Sequence, residues 1–116
     1  MTASPRDPQL LKGVLPMLVL ALLDQRESYG YELVRRLEEA GLVGIATGTV
    51  YPVLARLERD GLISSRLVAS PSGPARKYYL PTPYGRQDLA DSIQDWTSLV
   101  AVAQQILHPA PTPADP

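Results

Sequence analysis

Thr47-Gly48-Thr49, followed by Tyr51 and Arg56, bring hydroxyls, an open glycine and a cation into one short segment. A helix starting here presents unpaired backbone N–H groups and a positive dipole end, a natural phosphate seat. The small surfaces of Thr47, Gly48 and Thr49 let such a helix approach a partner closely. Tyr51 can reach a phosphate oxygen or a thymine methyl, and Arg56 lies about a turn further on. Both have plainer alternatives. Tyr51 can be a packing residue beneath the neighbouring β-element, and Arg56 a solvated charge paired with Asp60 at i+4.

Other chemistry is poorly supplied. There is no cysteine, which removes disulfides, thiolate metal sites and a cysteine nucleophile. The single histidine, His108, lies in a proline-rich tail, so no metal site and no cofactor is expected. No paired carboxylates or Ser/His constellation stand out. Gly41-Leu42-Val43-Gly44 is too short for a nucleotide fingerprint. An enzyme is therefore not expected.

The formal charge is only −1, but it is unevenly spread. Between Gln25 and Leu80 eight cationic side chains stand against six anionic ones, whereas from Pro81 onward Arg86 alone faces four aspartates. A mildly basic middle and an acidic end suit a polyanion-facing half and a second half with another task. The low overall charge also leaves room for a protein–protein module. At 116 residues the chain holds one domain with a proper core, filled without any phenylalanine. No apolar run reaches the roughly 18–20 residues of a membrane span. Val14 to Leu23 lacks the flanks of a signal peptide, so a cytoplasmic protein is the default.

Several elements can position these residues. Asp7-Pro8 is a helix start, Asp as cap and Pro at the first helical position. Leu10, Leu11, Val14, Met17, Leu18, Ala21 and Leu22 follow at helical spacing, with a kink at Pro16 or a start near Leu15 expected. Ser28 is the expected cap of a second helix reaching about Ala40, with stripe Tyr29, Leu33, Leu37 and Ala40 and with Gly41 beyond its end. Thr47 or Thr49 caps a third helix through Asp60, provided Pro52 falls in its first turn. Val50, Leu54 and Leu57 face the core there, Arg56 and Arg59 face outward, and Gly61 stops it. Leu62–Val68 and Arg76–Leu80 read as a two-stranded hairpin about a turn-rich loop. Thr82-Pro83 caps the last helix, where Leu89, Ile93, Trp96, Val100, Ala103 and Leu107 alternate steps of four and three. That is the seam of a helix packing along another helix, here one wall of a dimer. The fold class is thus mainly α with a small β-hairpin: a winged helix-turn-helix plus a C-terminal dimerisation helix. Its expected divisions are a flexible arm (1–8), the winged unit (9–81), the dimerisation helix (82–108) and a disordered tail (109–116).

Tyr29-Gly30-Tyr31-Glu32-Leu33, Gly48-Thr49-Val50-Tyr51-Pro52-Val53-Leu54, Leu57-Glu58-Arg59-Asp60-Gly61-Leu62-Ile63, and Arg76-Lys77-Tyr78-Tyr79 with Thr82-Pro83 and Gly85-Arg86 resemble PadR-family regulators. The resemblance runs from about Leu11 to Leu107. Pro16 and Pro81 depart from the family's pattern, at the first helix and at the wing exit. What it implies is a homodimer on a double-stranded DNA operator, commonly a repressor. Lys12, Tyr29, Thr47, Gly48, Thr49, Tyr51, Arg56, Arg76 and Lys77 are the candidate DNA contacts. The alternative for Arg76 and Lys77 is a charged strand edge that prevents aggregation, and Arg35 and Arg36 read as ordinary surface charge. In some multidrug-sensing members of the short subfamily, a tryptophan at the matching place lines a pore at the dimer centre. By that resemblance Trp96, with Met17, Ala21, Asp95 and Val100, would receive a small planar or hydrophobic effector, Asp95 favouring a cationic one. The plainer reading is that Trp96 fills the dimer core.

Overall fold

The computed structural model describes residues 7–111. Residues 1–6 of the expected arm (1–8) and 112–116 of the expected tail (109–116) lie outside them. The elements run α1 (Pro8–Gln25), β1 (Ser28–Tyr29), α2 (Gly30–Glu39), α3 (Thr47–Arg59), β2 (Ile63–Val68), β3 (Arg76–Pro81) and α4 (Pro83–Leu107).

Helix α1 starts where the sequence places it. The Asp7 carboxylate accepts from the Gln9 and Leu10 N–H groups at 3.0 and 3.4 Å, and Pro8 occupies the first turn. Asp7 and Pro8 therefore belong to the helix, not to an arm. The expected restart near Leu15 does not occur, because α1 continues through Pro16. Leu15, Val19, Leu20 and Leu23 are buried on either side of that proline. At about 1.5–3 kcal/mol per buried side chain, they outweigh the roughly 3 kcal/mol cost of an interior proline. The core face is thus offset from the predicted stripe, whose Leu11, Val14, Met17, Leu18, Ala21 and Leu22 are only half-buried and whose Leu10 is exposed.

Ser28 does not cap α2. It pairs with Tyr79, and Tyr29 with Tyr78, so the expected hairpin is a three-stranded antiparallel sheet in the order β1-β3-β2. The reason lies in Arg36, which proves to be anything but ordinary surface charge. Its guanidinium donates to the Leu22 carbonyl at 2.8 Å, the Arg26 carbonyl at 3.0 Å and the Ser28 hydroxyl at 2.8 Å. Ser28 is 0% exposed, and its hydroxyl is taken up by this contact rather than by a helix start.

Helices α2 and α3 end alike. Gly41 and Gly61 have positive φ, and the N–H of the next residue returns to Leu37 and Leu57 respectively, closing a Schellman turn at each end. The start of α3 differs from expectation. Ala46 holds the cap position without a side-chain bond, Thr47 is the first helical residue, and Pro52 lies inside the helix, past the first turn. Val50, Leu54 and Leu57 are buried as expected and join α1, α2, Ile63 and Tyr79 in one core.

Thr82 caps α4 as expected, its hydroxyl accepting from the Gly85 N–H at 3.1 Å with Pro83 in the first turn. Leu89 belongs to the chain's own core at 7% exposure, which removes it from the predicted seam. Beyond it α4 leaves the body, and the molecule extends 74 × 33 × 21 Å.

Replacing Arg36 with Ala leaves the Ser28 hydroxyl buried without its donor and takes one donor from each of two carbonyls, of which Leu22 keeps the Arg26 N–H. We expect a loss of about 2–3 kcal/mol of unfolding free energy, read by urea denaturation at fixed protein concentration. A loss below about 1 kcal/mol would show that the contacts with Arg36 are dispensable.

Candidate nucleic-acid interface

Helix α3 exposes Thr47, Gly48, Thr49, Tyr51, Pro52, Ala55, Arg56 and Arg59 along its outer face. The candidate residues divide between its two flanks. On one flank Tyr29, Tyr51, Arg76 and Lys77 surround a cleft of about 140 Å³ with Gly30 and Tyr79. On the other, Lys12, Gly48, Thr49 and Arg56 border a groove of about 940 Å³ between α1, the α2–α3 loop and α3. Thr47 is exposed at the head of the helix and lines neither.

Tyr51 satisfies both of its readings. Its ring lies across the start of α2, so close that a Cβ on Gly30 would stand 2.5 Å from Cζ and 2.6 Å from the hydroxyl oxygen. Any side chain there would have to push the tyrosine ring out of this position. The side chain is nevertheless 45% exposed, and it shares its cleft with both wing cations. Gly30 is the residue that sequence reasoning left without a role, although its place between two tyrosines at a helix start was the available signal.

The wing cations differ in freedom. Arg76 stacks over the Tyr29 ring at 4.5 Å, and Tyr29 meets Tyr78 edge-on at 5.3 Å. This cation–π contact orients the guanidinium while leaving its charge unneutralised. Lys77 instead donates to Glu58 at 2.8 Å, and Glu58 also accepts from the Ser65 hydroxyl at 2.6 Å. Those two donors hold the Glu58 carboxyl below its ordinary pKa, and the bond to Glu58 raises Lys77. Burial pushes the Tyr79 phenol up.

Other cations are also matched. Arg66 forks onto both oxygens of Glu27, which lowers that carboxyl in turn. Arg86 meets Asp24 at 3.1 Å, Arg26 meets Glu32 at 3.7 Å and Arg59 meets Asp60 at 3.2 Å. Asp60 therefore pairs with Arg59 and not with Arg56, contrary to the expected alternative. Among the described residues, Lys12, Arg35, Arg36, Arg56 and Arg76 make no ion pair, and Arg36 is taken up by two carbonyls and a hydroxyl. Three of these five border α3 or the wing.

The candidate dimer and effector residues lie elsewhere. Ile93 and Leu107 are exposed, Trp96 is 43% exposed, and Val100 and Ala103 are half-buried. Exposed Leu99, Val102 and Ile106, which the seam pattern missed, widen the stripe. Ser92, Leu99 and Ile106 recur every seven residues, with Val102 between the last two, a pattern that was visible but began on a polar residue. Met17 and Ala21 are half-buried on α1 and Asp95 is exposed on α4. Neither cavity described above takes in Met17, Ala21, Asp95, Trp96 or Val100. Among the described residues no group of three or more His, Cys, Asp or Glu could hold a metal, and no helix is long and apolar enough to cross a membrane.

This arrangement of helices, wing and trailing helix recurs in known proteins. The model of the Transcriptional regulator PadR-like family matches residues 19–91. The chain belongs to that family. Transcriptional regulator Rv3488 of Mycobacterium tuberculosis is 39% identical over 83 residues, covering 70% of this chain and 71% of its own. A PadR-like transcriptional regulator from Bacillus cereus superposes with a TM-score of 0.78 at 37% identity, over 88% of this chain and 99% of that one. A Streptococcus transcriptional regulator gives 0.79 at 41% identity, over 88% and 100%. This PadR-like protein is accordingly a DNA-binding transcriptional regulator with the winged-helix fold.

The lowered carboxyls define an acid response for the wing. A depressed carboxylate contributes stability that is present above its ordinary pKa and is lost as pH falls through the lowered folded value. Wing amide protection should therefore weaken as pH falls below about 4.5, the ordinary value for Glu27 and Glu58. The double variant Glu27→Gln, Glu58→Gln should show a flatter acid limb by hydrogen exchange. An unchanged limb would mean that these pairs do not hold the wing.

Proposed function

We propose that this regulator works in the cytoplasm as a homodimeric repressor on a pseudo-palindromic operator. Each protomer lays α3 in a major groove and its wing beside the backbone, with half-sites about one helical turn apart. The observation that carries this reading is the distribution of free charge. Five of the ten described cations are paired with a neighbouring carboxylate, whereas Arg56, Arg76 and Lys12 make no ion pair and border the recognition helix or the wing.

The roles follow from placement. The exposed arc from Thr47 through Gly48, Thr49 and Arg56 faces the base edges, and the short side chains at its head let the helix enter deeply. Tyr51 and Arg76, with Tyr29 beneath, grip the phosphate backbone from the cleft side. Lys12 reaches the backbone from the groove side. Lys77 joins them only by exchanging Glu58 for a phosphate, so its net contribution is smaller than that of Arg76. Contacts to phosphate orient the protein, and those on the outer arc of α3 specify sequence.

Dimerisation engages α4 through Ile93, Trp96, Val100, Ala103 and Leu107, together with Leu99, Val102 and Ile106. Ile106, 73% exposed in the single chain, and its neighbours need such a cover. Trp96 of both protomers then meets at the centre, where Met17, Ala21, Asp95 and Val100 complete a site for a planar or hydrophobic effector. Ligand at that centre would change the relative placement of the winged units and release the operator.

The test is binding to the protein's own upstream DNA, with unrelated DNA as control, across a salt series. We expect selective binding that weakens steeply with salt. Arg76→Ala should reduce affinity about tenfold or more and lower the salt slope by about 1. Lys77→Ala should cost less than Arg76→Ala. A folded dimer that prefers neither DNA, or keeps its affinity at high salt, would refute the reading and favour a protein-interaction module. For the effector site, planar cationic dyes should quench Trp96 emission at micromolar concentration. Unchanged emission across a panel of such dyes would reduce Trp96 to a packing residue.

A further inference from the structure

The root of α4 is joined to the end of α3 through backbone atoms and one side-chain hydroxyl. A Cβ built on Gly85 would stand 1.9 Å from the Leu62 carbonyl oxygen and 2.9 Å from its carbon. Neither atom can swing aside as the end of a side chain can. The same Leu62 carbonyl accepts from the Thr82 N–H at 3.0 Å. The Thr82 hydroxyl donates to the Gly61 carbonyl at 2.6 Å and accepts from the Gly85 N–H at 3.1 Å. Gly61 and Leu62 form the Schellman turn that closes α3, so recognition helix and trailing helix share one knot of hydrogen bonds. Arg86, the next residue, reaches Asp24 on α1 at 3.1 Å and limits rotation about that knot.

We infer that Gly85 is a specificity-determining residue that sets which operator half-site spacing the dimer accepts. It does so by fixing the angle at which α4 leaves the DNA-reading unit. The inference rests on the dimeric DNA-binding reading above and assigns a role that touches no DNA. Helix α4 has 25 residues, about 37 Å at the helical rise. A tilt of about 5° at its root moves the far end by about 3 Å, close to the ~3.4 Å rise of one base-pair step. Any side chain at Gly85 forces the two backbones apart by about 1 Å or more before contact becomes tolerable. The half-site contacts of α3 and the wing are left in place, and the offset between two protomers changes.

The experiment selects duplexes in vitro from a random library with the full-length parent, Gly85→Ala, Thr82→Val and Thr82→Ser. Thr82→Val removes the hydroxyl bridge, and Thr82→Ser restores it. All four should enrich the same half-site. Parent and Thr82→Ser should share one spacing. Gly85→Ala and Thr82→Val should shift that spacing by at least one base pair and bind the parent's arrangement about tenfold more weakly. Where Gly85→Ala does not fold by circular dichroism, Thr82→Val carries the same comparison. Retention of the parent's spacing by the folded variants overturns the inference, and so does a changed half-site, which would place Gly85 in the service of the reading unit itself. A parent that enriches no site overturns the DNA-reading function and the inference together, a result distinct from either.

Discussion

Arg36 holds three acceptors at the junction where α1 ends and β1 begins, and the rest of the architecture depends on that grip. A two-stranded hairpin has too little apolar face to stand in water. Here β1 adds a third strand, and β1 exists because Arg36 binds the Ser28 hydroxyl while closing the last carbonyls of α1. Partial burial lowers the guanidinium's pKa from its ordinary value, the cost of stationing a cation inside the junction. In return, the Ser28–Tyr79 and Tyr29–Tyr78 pairs fasten the wing to the helices. They also deliver Tyr29 beneath Arg76 and Gly30 beneath Tyr51. One part-buried contact thus connects the core to the cleft beside the recognition helix.

Charge then decides which surface is available to a polyanion. Net charge is −1, and a uniform distribution would repel DNA. The structure instead matches Arg66, Lys77, Arg86, Arg26 and Arg59 with nearby carboxylates. Such exposed pairs are worth little in stability, but they cancel field locally. Of what remains, Lys12, Arg56 and Arg76 lie on the flanks of α3, with Asp60 and Asp88 lining the groove beside the first two, whereas Asp91 and Asp95 lie further along the trailing helix. Arg76 is held by a ring rather than by a carboxylate. It is therefore both oriented and charged, the combination that a phosphate contact requires.

Legibility in the sequence followed the range of the interactions. Local ones could be read: Asp7-Pro8 and Thr82-Pro83 as helix starts, Gly41 and Gly61 as stops, and Val50, Leu54 and Leu57 as a core stripe. Those set from a distance could not. Ser28 followed by a helix looks like a cap until Arg36, eight residues on, claims its hydroxyl. Pro16 looks like a break until the apolar residues around it are seen to be buried. On α1 two apolar faces overlap, and the periodicity alone did not separate the one in the core from the one left half-covered. Leu89 fits a seam by spacing, yet it is consumed by the chain's own core, because α4 touches the body for its first two turns before leaving it. Of the candidate site, residue types were legible and partners were not. The pairing of Lys77 with Glu58 and of Arg59 with Asp60 distinguishes cations that their sequence neighbourhoods present as equivalent.

The trailing helix makes the clearest physical demand for a second chain. Past Leu89 it has no buried residue, and isolated helices of this length are marginal in water. Its last twelve residues, Trp96 to Leu107, contain no charged side chain and no i,i+4 ion pair to sustain them. Leu99, Val102, Ile106 and Leu107 lie open beside Trp96. Hydrophobic burial scales with area, at about 25 cal/mol per Å², so covering this stripe supplies a driving force that nothing within the single chain provides. A half-covered apolar face on α1, carrying Met17, Leu18 and Ala21, belongs to the helix that packs against the root of α4. In the dimer proposed above, joining two such chains along α4 would cover both faces at once. With α4 held at its root by the Leu62 backbone rather than by a flexible linker, the same burial that stabilises the helix would then dictate how far apart two recognition helices stand.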